Sequence, residues 1–96
     1  MAQFDVYRVT GGAVVVDCQS DLLEDLPTRF VVPLRETDRV MLKRLTPVFM
    51  IGGIEMTMMT PLARGIDVRD IEARVDTLID HEYEIKAALD MLISGF

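Results

Sequence analysis

Along QFDVYRV, residues 3 to 9, apolar and polar positions alternate, with Phe4 and Val6 on one side. Thr10, Gly11 and Gly12 supply turn residues before AVVVDCQ, so the two segments predict a β-hairpin. A polar stretch, SDLLEDLPT, leads to RFVVPL, a third strand. RETDRVMLKRL reads as a short connection or helical turn. In TPVFMIGGIEMTMMT the Gly52-Gly53 pair divides two more strands, and ARGIDVRDI offers a last short strand or extended segment.

Several of these strands carry apolar residues on both faces. Val14, Val15 and Val16 are consecutive, as are Phe30, Val31 and Val32, and the run Val48 to Ile51. A sheet with one wet face would alternate instead. One side is therefore expected to fill a small barrel and the other to meet a helix or a second subunit. In EMTMMT, Met56 and Met58 share a face, with Thr57 and Met59 opposite.

From Asp70 the period lengthens. Leu78, Ile85, Ala88, Leu89 and Leu92 fall on one stripe at helical spacing, with Thr77 or Asp80 as N-cap and Glu82 to Lys86 as a favourable i,i+4 pair. The pattern predicts a terminal amphipathic helix on a mainly β domain.

A chain of 96 residues makes one domain, residues 1 to 96, and buries only about 60 to 65 % of the surface it exposes unfolded, so a partner subunit would add stability. Half the residues are hydrophobic, yet no apolar run approaches the ~20 residues needed to span a bilayer. Met1-Ala2-Gln3 leads straight into strand-like sequence without an export signal, which makes the cytoplasm the expected compartment. The single cysteine, Cys18, lies in an apolar run and reads as a buried, inert thiol. With His81 the only histidine, neither a metal cluster nor a nucleophile and base pair is indicated, and no cofactor is expected.

The charge is uneven. Asp70, Glu72, Asp76, Asp80, Glu82, Glu84 and Asp90 face only Arg74 and Lys86 in the last 27 residues, which hold nearly all of the net charge of −6. Nucleic acids are held chiefly by Lys and Arg neutralising phosphates, so direct nucleic-acid binding is not expected.

Two features stand out as contact candidates. Leu22 and Leu23 sit side by side among acidic residues before Pro27; they either tuck into the core or form an exposed patch. The chain also ends ALDMLISGF, an apolar helix running into Gly95-Phe96. A free carboxylate at a helix C-terminus adds charge where the dipole is already negative, so helix stability does not favour this ending. Ile93 and Phe96 either fold back on the barrel or protrude as an anchor.

The stretches QFDVYRV, VVDCQSDLL, FVVPL, LTPVFMIGG, MTMMT and EIKAALDMLISGF, taken in order over nearly the whole chain, resemble the CcdB toxin family of toxin-antitoxin pairs. The resemblance implies a small SH3-like antiparallel β-barrel with a C-terminal α-helix, assembled as a homodimer. It implies a protein that is not itself an enzyme but poisons DNA gyrase, binding its A subunit and trapping the cleaved complex. A partly disordered CcdA-like antitoxin would neutralise it. Carried over by position, the gyrase contacts would be Leu22, Leu23, Asp90, Ile93, Ser94, Gly95 and Phe96. Met59, Met91, Leu92 and Ile93 are the dimer-interface candidates.

One departure changes the expectation. Family members present tryptophan before the glycine near the terminus, where this chain has Ser94. Losing an interface tryptophan typically costs on the order of 2 to 4 kcal/mol. The resemblance thus also admits a non-toxic binding protein that keeps its dimer and antitoxin contacts. An endoribonuclease on the same barrel is the third reading, against which the acidic balance argues.

Overall fold

The computed structural model describes residues 1–37 and 44–95. Most of the RETDRVMLKRL connection and Phe96 therefore lie outside the described residues. The strands are β1 (Asp5–Val9), β2 (Val14–Asp17), β3 (Thr28–Glu36), β4 (Val48–Ile51), β5 (Ile54–Met58), β6 (Arg64–Asp67) and β7 (Ile71–Thr77), followed by helix α1 (Glu82–Ser94). Their spatial order is β4-β5-β3-β2-β1-β7, all antiparallel, with β6 on β3. The fold is thus a curled, SH3-like half-barrel with a C-terminal helix.

Strand β3 organises the curl because its neighbours change along its length. On one edge its first half pairs β6, from Thr28 to Val31, and its last residues pair β5, from Leu34 to Glu36. Pro33, which has no N–H to donate, falls in the gap between them. Its carbonyl is taken by the Met59 amide at 2.8 Å. The β4–β5 turn needs two residues at positive φ, and Gly52 and Gly53 supply them at 57° and 83°. The Gly52 N–H then donates to Asp76 Oδ2 at 3.1 Å, bringing this turn against β7.

The doubled apolar runs resolve as two cores. Phe4, Val6, Val16, Val32, Leu34, Phe49, Met58, Leu78, Ile85 and Ala88 fill the space between the sheet and α1, and Met56 shares that face with Met58. On the opposite face Tyr7, Val9, Val15 and Val31 are covered by Ile66 of β6 and Ile71 of β7. The chain's own curl therefore supplies much of the second cover. The run Val48 to Ile51 departs from the expectation: Phe49 and Ile51 are buried, but Val48 and Met50 remain exposed.

Phe4 pays for its place in the first core with a φ of 71°, unusual for a side chain of this size. The strain turns the chain into β1 while the ring stays buried. The Leu78 amide donates to the Phe4 carbonyl at 2.8 Å, tying this bend to the start of the helical segment.

The sequence reading placed the change of period at Asp70, too early. Ile71–Thr77 is a strand on the free edge of β1, with bulges that shift the register between Val6 and Tyr7 and again between Arg8 and Val9. The helix begins at Glu82, after a 3-10 turn at Ile79–His81, so neither Thr77 nor Asp80 caps it; His81 stands at the N-cap, and its side chain makes no capping bond to the helix amides. Glu82 and Glu84 in the first turn suit the helix dipole. The Glu82 to Lys86 pair forms as expected, at 3.3 Å. Leu78 fills the core from the connection, whereas Leu92, on the stripe of Ile85 and Ala88 but near the end of the helix, stays exposed. Met59 also moves: it stands past the end of β5, at the N-cap of a 3-10 turn at Thr60–Leu62.

Candidate partner-docking site

The described residues of both candidate contact groups are solvent-facing. The SDLL segment folds as a 3-10 turn at Asp21–Leu23, capped by the Ser20 hydroxyl, which accepts from the Leu22 amide at 3.2 Å. Leu22 is 94 % exposed and Leu23 50 %, so the reading that tucks both into the core does not hold. At the other group, α1 ends on Gly95, whose left-handed φ of 83° lets its amide close on the Met91 carbonyl at 2.9 Å. Ile93 is 80 % exposed and projects from the last turn, with Asp90 and Ser94 also in solvent. Phe96 lies outside the described residues.

The fold groups Leu22 with Leu23 on one turn, and Asp90, Ile93, Ser94 and Gly95 on another. Helix α1 packs through Ile85 and Ala88 on the first core, and its backbone passes close to the turn Thr60–Leu62. Of the dimer candidates, Met59 and Met91 are half-buried, while Leu92 and Ile93 are exposed. Met59 adjoins the Thr60–Leu62 turn on which α1 rests, so these residues lie on neighbouring elements.

The turn bearing the leucines stands on a polar framework that sequence reasoning missed. Asp17 of β2 and Arg29 of β3 lie diagonally across the strands on the face of the second core, and the Arg29 Nε donates to Asp17 Oδ2 at 2.9 Å while Nη2 bonds the same oxygen. Asp17 Oδ1 accepts the Gln19 amide at 3.0 Å. Burial pushes the Asp17 carboxyl up, although the Arg29 and Gln19 hydrogen bonds pull the other way. Beside it Tyr7 donates to Asp5 Oδ2 at 3.4 Å, and Asp5 pairs with Arg74 at 3.2 Å. Burial, then the charges of Asp5 and Asp17, push the Tyr7 phenol up. One signal in the sequence could have found the ion pair: Asp17 is in phase with Val15, and Arg29 with Val31, so strand alternation turns both charges inward.

The remaining chemistry-bearing residues are structural in their contacts. Burial pushes the Cys18 thiol up to about 12, far from a reactive thiolate. The His81 ring meets Phe49 at a tilt of 53°, their centroids 5.0 Å apart, and its Nδ1 lies 3.1 Å from Glu84 Oε1. Among the described residues no group of His, Cys, Asp and Glu is placed to hold a metal ion. An open groove of about 250 Å³ lies between Arg44, Pro47, Glu84 and Ala87. No helix of the described residues is long and apolar enough to cross a membrane.

Fold and site together define a small SH3-like barrel with exposed aliphatic residues on one loop and on the end of its helix. Residues 3–95 match the family described as CcdB protein, and the chain belongs to that family. Among solved structures it is similar to the Mycobacterium tuberculosis toxin MazF-mt6, with a TM-score of 0.77 at 13 % identity over 93 % of each chain. A structure described as an Mtb toxin gives a TM-score of 0.74 at 14 % identity, over 95 % of this chain and 99 % of that one. At such identities the likeness is one of fold.

Proposed function

We propose that the chain is the toxin of a toxin-antitoxin pair, a homodimer that binds the A subunit of DNA gyrase and traps the cleaved complex. It acts by binding and carries no catalytic centre of its own, and a CcdA-like antitoxin neutralises it in the cytoplasm. The observation that carries this reading is the exposure of Leu22 on a hydrogen-bonded turn in a chain matched by the CcdB family from residue 3 to residue 95. Ile93 on the last turn of α1 adds a second exposed aliphatic contact, with Asp90, Ser94, Gly95 and Phe96 around it in sequence.

Ser94 favours a second reading, in which the same surface binds but poisons weakly. A solvent-facing serine offers little of the flat apolar area with which tryptophan anchors an interface. Gyrase-A pull-down and inhibition of supercoiling decide between the two. The parent is expected to bind weakly, and Ser94→Trp to strengthen binding about 30-fold or more. Deleting Gly95 and Phe96 should weaken binding without unfolding the barrel, because Gly95 lies at the exposed end of the helix and its amide closes only the last turn, on Met91. A parent that poisons strongly would sink the weak-binding reading; no binding by the parent or by Ser94→Trp would sink the gyrase assignment. RNA cleavage by the purified protein would instead favour the endoribonuclease reading, which the net charge of −6 opposes.

A further inference from the structure

The turn Asp21–Leu23 buries none of its residues, so apolar burial does not hold it in place. Hydrogen bonds do. The buried Gln19 side chain reaches in two directions at once: its Nε2 donates to the Leu23 carbonyl at 2.8 Å, and its Oε1 accepts the Phe30 amide at 3.0 Å. Its own amide is pinned to Asp17 Oδ1, and Asp17 is in turn held by Arg29. Gln3 braces the other side, donating from its backbone to Asp21 Oδ1 at 2.8 Å and from Nε2 to the Cys18 carbonyl at 3.1 Å.

We propose that Gln19 is a positioning residue that holds Leu22 and Leu23 outward for their partner, while touching no partner itself. The part concerning binding rests on the docking reading of Leu22. An aliphatic side chain on a loose loop must be ordered at the moment of binding, which weakens affinity. Gln19 joins the C-terminal residue of the turn to β3 and so meets that ordering requirement in the free protein. A residue that merely filled space could be replaced by an isostere without loosening the turn.

Two variants test this, with amide exchange and gyrase-A affinity as separate readouts. Gln19→Met keeps the side chain's size and removes both its donor and its acceptor. Exchange protection at Leu22, Leu23 and Phe30 is expected to fall about ten-fold or more, while Val16 and Val32 in the sheet keep theirs. Gyrase-A affinity should fall with it. Gln19→Glu keeps the acceptor but loses the donor at neutral pH, and regains a donor when its carboxyl is protonated. Its loop protection should therefore rise as the pH is lowered, with no such rise in the parent.

Unchanged protection at the three amides in Gln19→Met overturns the proposal. So does loosened protection with unchanged gyrase-A affinity when Leu22→Ala lowers that affinity. If Leu22→Ala leaves affinity intact, the docking reading of this turn fails, and exchange alone decides whether Gln19 holds it. If Gln19→Met unfolds the whole protein, Gln19→Glu decides: pH-dependent loop protection supports the proposal and its absence overturns it.

Discussion

The Arg29 guanidinium and the Asp17 carboxylate are paired inside the fold, Nε to Oδ2 at 2.9 Å, with side-chain exposures of 1 % and 0 %. Removing both charges from water is costly, and their attraction only partly offsets it, as the upward push on the Asp17 carboxyl indicates. The pair is nevertheless part of the local architecture, since Asp17 also holds the Gln19 amide.

Breaking the pair from one side should therefore hurt more than removing it. Arg29→Met leaves a buried carboxyl without its cation and is expected to cost about 3 to 5 kcal/mol. That lowers the melting temperature by roughly 10 °C or more in a domain of this size. Combining it with Asp17→Leu should recover much of the loss. Urea and thermal melts of the single and double variants check this; a double variant no more stable than Arg29→Met would show that the pair's energy is not dominated by the stranded charge.

Cys18 should be silent in the native protein. With its thiol pushed up to about 12, it should resist alkylation at pH 8 and react only after denaturation. The folded state holds the thiol proton more tightly than the unfolded chain does. Stability from this group is thus intact below the ordinary value of 9.0 and declines as the pH rises toward about 12. Rapid alkylation of the folded protein, followed by mass spectrometry, would contradict the burial.

Salt should stabilise the fold. Asp70, Asp80, Glu84 and Asp90 are solvent-exposed in the acidic C-terminal segment, and their mutual repulsion acts over distances that salt screens. Raising sodium chloride from about 10 mM to about 150 mM, which shortens the screening length from about 30 Å to about 8 Å, should raise the melting temperature by a few degrees. A flat or falling melting temperature would mean that this repulsion is not felt.

A homodimer is expected at low micromolar concentration, with Met59, Met91, Leu92 and Ile93 near the contact. Small domains gain from burying surface against a copy, and Leu92 stays exposed beyond Ile85 and Ala88, the residues of its own stripe that reach the core. Leu92→Asp should shift sedimentation toward monomer without melting the barrel. A folded parent that sediments as a monomer would remove the dimer from the proposal.

The pattern of apolar positions was enough to read the β1–β2 hairpin, the Gly52-Gly53 turn, burial on both faces for β2 and β3 though not for β4, and an amphipathic end to the chain. These features follow from local periodicity and turn chemistry, and each is written in a few consecutive residues. The strand Ile71–Thr77 was legible in principle, because Ile71, Ala73 and Val75 alternate with Glu72, Arg74 and Asp76. It was absorbed into the helix because nothing local shows that β1 has a free edge waiting for it. Tertiary structure alone decided that Asp17 finds Arg29 and that Gln19 reaches Phe30, 11 residues away in sequence, as well as Leu23. Such partners depend on strand register and on the path of the intervening loop. It also decided that Leu22 faces water: adjacent leucines carry the same hydrophobicity wherever they fall, and only the packed sheet shows that no core position remains within reach of this polar-held turn.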